Sequence, residues 1–182
     1  MPQKEIYISV DIEASGQIPG EFSMLSIGAC VVGNKKETFY IELQPVNDSF
    51  VPENVAVTGL LFEELKANGE EPIVAMQKFE KWIMEVSGDA SPVLAAFNAS
   101  FDWMFVDWYF RKFLGRNPFG LGGVDIKAYF MGMENVGWSG AKKRHVYEKF
   151  PTEYPHTHNA LDDALEQADI FEKMLAANRT RS

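Results

Sequence analysis

A single cysteine, Cys30, is all that 182 residues contain, so no disulfide framework can form within the chain. It lies in the apolar run from Ile27 to Val32, where a small buried hydrophobe is expected rather than a nucleophile or a metal ligand. Positive charge is also in short supply. Lys and Arg number 17 against 26 Asp and Glu, for a net charge of −9. That sign excludes a protein that grips long nucleic acid through many phosphates, so any polyanionic substrate has to be held locally. Two bound divalent cations would bring −9 to −5 where phosphate repulsion is worst. Long hydrophobic runs are missing too. Stretches such as Ile6 to Val10 and Trp103 to Val106 fall far short of a membrane span, and the N-terminal Met-Pro-Gln-Lys-Glu has no apolar signal segment. A cytoplasmic protein without a membrane partner is expected. Repeats, linkers and low-complexity tracts are absent. With 46% hydrophobic and 13% aromatic residues, positions 1–182 are expected to close one core as a single domain.

Periodicity then orders the chain. Glu5 to Asp11 alternates as a strand, and Leu25 to Val32 with Glu37 to Leu43 forms a hairpin turned at Gly33-Asn34. Pro45 to Gly69 is irregular apart from a short helix at Leu61 to Leu65. Pro72 to Val86 has helical spacing, with Val74, Phe79, Trp82, Ile83 and Val86 largely on one face and Gly88 just past the end. Pro92 to Phe97 is a short buried strand that enters a helix over Ala99 to Leu114, with Asn98 as its cap. Gly122 to Val124 begins another strand, and Asp125 caps a helix through Met131. Gly132 to His156 is expected to be loop-rich, and Asn159 to Asn178 is a long helix. A meander of strands followed by alternating strands and helices predicts an α/β fold, a mixed sheet with helices on its faces.

Carboxylates stand out against this frame. Asp11 and Glu13 alternate on one strand and so share a face, followed by the small residues Ala14, Ser15 and Gly16, which admit a ligand to the backbone. At about 100° per residue, Asp102 lies within about 40° of Val106, Tyr109 and Phe113, whereas Asp107 falls beside Arg111 on another side. An acid on an apolar arc needs a partner or a cation. The same phase test separates Asp162, on an arc with Glu166, Asp169 and Lys173 that reads as solvated, from Asp163, on an arc with Ile170 and Met174. The adjoining apolar surface runs through Ala160, Ala164, Ala168, Phe171 and Leu175. Of the histidines, His156 and His158 both precede Asp163 closely. Neither has the spacing of a zinc site, so an all-oxygen set for magnesium or manganese is expected, with a histidine free for proton transfer. Lys142-Lys143-Arg144-His145 is a basic run, a phosphate guide or a solvated loop.

Taken together, Asp11-x-Glu13-x-Ser15-Gly16, Asn98-x-x-x-Asp102 and His158-x-Ala160-x-x-Asp163-Ala164 resemble the motifs of the DEDDh (DnaQ-like) 3′-to-5′ exonucleases, in order and spacing over residues 6 to 175. The family step from histidine to aspartate selects His158 over His156. The resemblance implies a ribonuclease H-like fold with a five-stranded mixed sheet. It implies two divalent cations, Mg2+ or Mn2+, held by Asp11, Glu13, Asp102 and Asp163, with His158 as general base and a nucleoside 5′-monophosphate as product. Four such carboxylates without metal are expected to have raised pKa values. By the same resemblance, the backbone at Ala14 and Ser15 would meet the terminal nucleotide, Met24 and Leu25 would wedge its base, and Phe101 would face it. The implied substrate is the 3′ end of single-stranded RNA or DNA, or a short oligonucleotide, and the resemblance leaves room for a homodimer. The alternatives are a catalytically silent protein that binds nucleic-acid ends, and a polymerase-associated proofreading subunit.

Overall fold

The computed structural model describes residues 4–180. Five strands form one sheet: β1 (Glu5–Ala14), β2 (Met24–Val31), β3 (Asn34–Glu42), β4 (Ser91–Ala96) and β5 (Val124–Asp125), in the order β3-β2-β1-β4-β5. β1 pairs antiparallel with β2, as does β2 with β3, while β1–β4 and β4–β5 are parallel. The expected mixed α/β sheet is therefore present. Gly33, at φ +87, supplies the left-handed residue that turns the β2–β3 hairpin.

The helices are α1 (Pro52–Thr58), α2 (Phe62–Asn68), α3 (Pro72–Ser87), α4 (Ser100–Leu114), α5 (Ile126–Glu134), α6 (Lys143–Lys149) and α7 (Ala160–Arg179), with a 3-10 turn at Trp138–Ala141. Two segments are more ordered than their sequence indicates. The stretch from Pro45 to Gly69 holds two short helices, and the loop-rich stretch before His156 contains α6. The α2 helix is the short helix expected at Leu61 to Leu65, whereas α1 and α6, of seven residues each, start without a side-chain cap and are too short for periodicity to mark them. Among the described residues no helix is long and apolar enough to cross a membrane.

The two faces of the sheet are built differently. On one, Ile8, Val10 and Ile12 of β1 meet Phe79 of α3 and Phe105, Tyr109 and Phe110 of α4, all of them buried. On the other, the intervening residues of β1 and β2 are small or polar: Ser9, Asp11, Glu13, Ser26, Gly28 and Cys30. Here α7 lies close, with Ala160, Ala164 and Ala168 fully buried and the Cys30 thiol donating to the Ala164 carbonyl at 3.4 Å. A β-carbon on Gly28 would overlap the backbone of Ala160 and Leu161, so only glycine admits this approach. Gly28 is also the residue paired with Asp11 across β1 and β2. The start of α7 is thus drawn down next to the acidic end of β1. Cys30 is buried as expected, and burial pushes its thiol up to about 12.

Candidate active site

β1 places Asp11 and Glu13 on the face that receives α7, and a register shift between Glu13 and Ala14 ends the regular ladder just beyond them. α4 brings Asp102 from the other side. Its Oδ1 accepts a hydrogen bond from the Ile12 amide at 3.1 Å, between the two acids of β1. Asp102 is 5% exposed and Asp163, near the start of α7, 2%. One oxygen each from Asp11, Glu13 and Asp163 lies within 4.8 Å of the others. The structure thus brings the carboxylates of all three motifs together.

Such proximity is costly without a cation. Burial, reinforced by the charges of Asp102, Glu13 and Asp163, holds the Asp11 carboxyl well above the usual range, while the Lys143 ammonium works against it. Burial, with Asp163 and Asp102, pushes Glu13 up to about 8. Asp102 rises to about 7, chiefly through burial, despite the stabilising Ile12 amide. A dense set of carboxylate oxygens, several resisting ionisation, fits a hard divalent cation.

The supporting contacts are specific. The Asn159 side chain caps α7 by accepting from the amides of Leu161 and Asp162. Asp163 Oδ1 accepts from the Thr157 amide at 2.9 Å, and His156 Nδ1 lies 2.9 Å from its Oδ2. His158 is exposed at φ +58, and its ring meets that of His156 edge-on with centroids 4.7 Å apart. Asp162 instead accepts from the Thr157 hydroxyl, and Asp107 pairs with Arg111 at the surface, both away from the cluster.

Three readings change. Asn98 does not cap α4. It adopts φ +60, and Asp125 takes over from a distance: Oδ2 accepts from the Ala99 amide at 3.0 Å, while Oδ1 caps α5 through Ala128. The arc of Glu166 and Asp169 is not solvated. Glu166 is 1% exposed, held by the Tyr147 hydroxyl and by Lys143 at 2.7 Å, and Asp169 meets Lys35 at 3.2 Å and Lys173 at 2.7 Å. Cations from β3 and α6 cover it. The third change concerns Met24 and Leu25, which are fully buried, Met24 in the aromatic core and Leu25 against Phe62 and Leu65. As placed, neither offers a surface to a base.

Of the other residues near the acids, Ala14 and Ser15 are buried. Ser15 knits loops together, donating from Oγ to the Ser49 carbonyl and accepting from the amides of Ser23 and Val51. Phe101 is half-buried, stacked at a tilt on Phe105. Two contributors escaped the sequence reading. Gln167, 3% exposed, donates to Asp11 Oδ1 at 2.6 Å and accepts from the Phe97 amide at 2.8 Å, so one amide joins α7, β1 and the exit of β4. It lies about 40° from Asp163 on the helix, so the phase test that isolated Asp163 marks it too. Lys143, from the basic run, enters the cluster instead of remaining in solvent.

Comparison with known proteins agrees with this architecture. The exonuclease family model RNase_T matches residues 8–171. A 3′-5′ DNA exonuclease of Escherichia coli, Cap18, is 43% identical over 169 residues, covering 92% of this chain and 90% of that protein. Among solved structures, the nuclease domain of 3′hExo, a DEDDh family member bound to rAMP, superposes with a TM-score of 0.77 at 18% identity, over 96% of this chain and 93% of that one. E. coli Exonuclease I in complex with a dT13 oligonucleotide gives 0.71 at 16% identity, over 98% of this chain and 42% of that one. With a family model spanning most of its length, the chain belongs to the DEDDh exonucleases of the ribonuclease H-like superfamily and is a 3′-to-5′ exonuclease, a family that implies divalent metal ions and whose ligand chemistry the clustered carboxylates fit.

Proposed function

We propose that this chain, working as one domain, removes nucleotides from the 3′ end of single-stranded DNA or of short oligonucleotides and releases nucleoside 5′-monophosphates. The observation that carries this reading is the convergence of Asp11, Glu13 and Asp163, with Asp102 tied to the same strand segment. Similarity to a protein named as a DNA exonuclease supports DNA over RNA. Likeness to a fold solved with a dT13 oligonucleotide supports a single strand.

In this reading Asp11, Glu13, Asp102 and Asp163 hold two divalent cations, and their all-oxygen character favours Mg2+ or Mn2+. When bound, such ions offset phosphate charge and lower the pKa of water. His158, exposed at the edge of the cluster, takes the proton of the attacking water, for which an imidazole is suited at neutral pH. Gln167 fixes the direction of the Asp11 carboxylate, and the Ile12 amide that of Asp102. Phe101, next to Asp102 and half-buried, offers an aromatic face to the terminal base. Ser15 shapes the backbone beneath the sugar, while Met24 and Leu25 support it from the core.

The test is mononucleotide release from matched single-stranded DNA and RNA with Mg2+ or Mn2+. DNA should be degraded faster from the 3′ end, and His158→Ala should lower kcat. A protein that binds ends yet releases nothing under any metal would instead indicate a silent binder.

A further inference from the structure

Two groups of metal-capable side chains converge among the described residues, and they share a carboxylate. Asp11, Glu13 and Asp163 offer only oxygen, whereas His156, His158 and Asp163 offer two imidazoles and one carboxylate, again with ligand atoms within 4.8 Å of one another. The second set suits Zn2+ and related transition ions rather than magnesium. Sequence spacing does not disclose it, since the histidines are two residues apart and the aspartate lies on the next helix. We propose that His156, His158 and Asp163 form a Zn2+ site whose filling switches the exonuclease off. The inhibition rests on the function proposed above, but the site itself does not.

Geometry supports the site first. Zinc bonds of about 2.0–2.2 Å in a tetrahedral shell put neighbouring ligand atoms about 3.3 Å apart. His156 Nδ1 and Asp163 Oδ2, at 2.9 Å, are already near that spacing, and Glu166 Oε2 lies 3.4 Å from the same nitrogen. Only His158, on an exposed loop with its ring against that of His156, has to turn inward. The location also holds a cation already. Lys143 Nζ stands 3.0 Å from His156 Nδ1 and 2.7 Å from Glu166 Oε2, and its side chain is 28% exposed, with a route to solvent. A zinc ion would displace that single charge with a double one, against two buried carboxylates.

Inhibition follows from the shared ligands. The nitrogen of His158 that accepts a proton cannot do so while it binds zinc. Asp163, whose other oxygen is occupied by the Thr157 amide, is drawn from the all-oxygen set toward the nitrogen-rich one. The two sets therefore compete for one side chain.

Cobalt reports on the site directly, because tetrahedral Co2+ absorbs strongly in the visible and octahedral Co2+ does not. Wild type and Asp11→Asn should both show the tetrahedral band, and Zn2+ should bleach it. His156→Gln, altered at an exposed position, should lack it. In Mn2+-supported mononucleotide release, each protein normalised to its own zinc-free rate, His156→Gln should need at least about tenfold more Zn2+ for half-inhibition. Equal zinc sensitivity in wild type and His156→Gln, or a cobalt band unaffected by the substitution, would overturn the proposal. Failure of wild type to release nucleotides would defeat the functional reading alone, since absorption still decides whether the site exists.

Discussion

One face of the sheet is filled with Phe79, Phe105, Tyr109 and Phe110, and the other with Ser9, Ser26, Gly28 and Cys30 under the alanines of α7. Large rings hold α3 and α4 at a distance and contribute most of the apolar burial on their side. Small residues let α7 settle on the strands, which places Asp163 beside Asp11 and Glu13. Stability and chemistry are thus largely divided between the faces: only Asp102 comes from the aromatic side, on α4, so volume changes in α3 should have modest consequence for the acids, whereas the small side has no such freedom.

Substitution can break that division, most severely at the shared carboxylates. Asp163→Asn or Asp11→Asn should reduce mononucleotide release by on the order of 10³-fold or more while the melting temperature holds or rises, because a like charge is removed. Paired activity and melting measurements check this. Gly28→Val should cost about 3 kcal/mol in chemical denaturation and weaken Mn2+ binding, whereas Ile83→Val on the aromatic face should cost about 1 kcal/mol and leave Mn2+ binding intact. Equal losses of metal affinity would remove the distinction between the faces. Gln167→Met, isosteric but unable to hold the Asp11 carboxylate, should weaken Mn2+ binding about 10- to 100-fold by calorimetry with an unchanged KM for the oligonucleotide.

Acidity sharpens the comparison further. Glu13, raised to about 8, and Asp102, raised to about 7, bind protons in the folded metal-free protein that they release when unfolded near pH 4. Their contribution to stability is complete below the unfolded pKa and is lost as pH climbs through the folded one. The metal-free melting temperature should therefore fall between about pH 5 and pH 8, and Mn2+ should restore it at the upper end. A metal-free melting temperature that rises over this range would contradict the clustering. The smallest effect belongs to the solvent side of α4, where Arg111→Ala, breaking the exposed pair with Asp107, should change stability by no more than about 0.5 kcal/mol.

Much of this arrangement is legible in the sequence. Helical phase separated Asp163 from Asp162 and put Asp102 on an apolar arc, and burial of both agrees. Strand alternation put Asp11 and Glu13 on one face. What escaped was long-range compensation. Glu166 and Asp169 have a polar arc's composition, but Lys35, Lys143 and Lys173 neutralise them from elsewhere in the fold, so a charged arc became a buried one. Asn98 has a capping residue's chemistry, yet its left-handed backbone leaves the task to Asp125. Short helices such as α1 and α6 depend on tertiary packing more than on local signals.

The Gln167 bridge to Asp11 spans 156 positions of sequence, and the Asp163 that it accompanies arrives on the last helix. The residues of the aromatic core, Ile8 to Phe119, all precede α7 and leave the ribosome first. A chain at that stage cannot assemble the four carboxylates. On the proposed function, a copy truncated before α7 lacks both Asp163 and Gln167 and should leave the nucleic acid around it uncut.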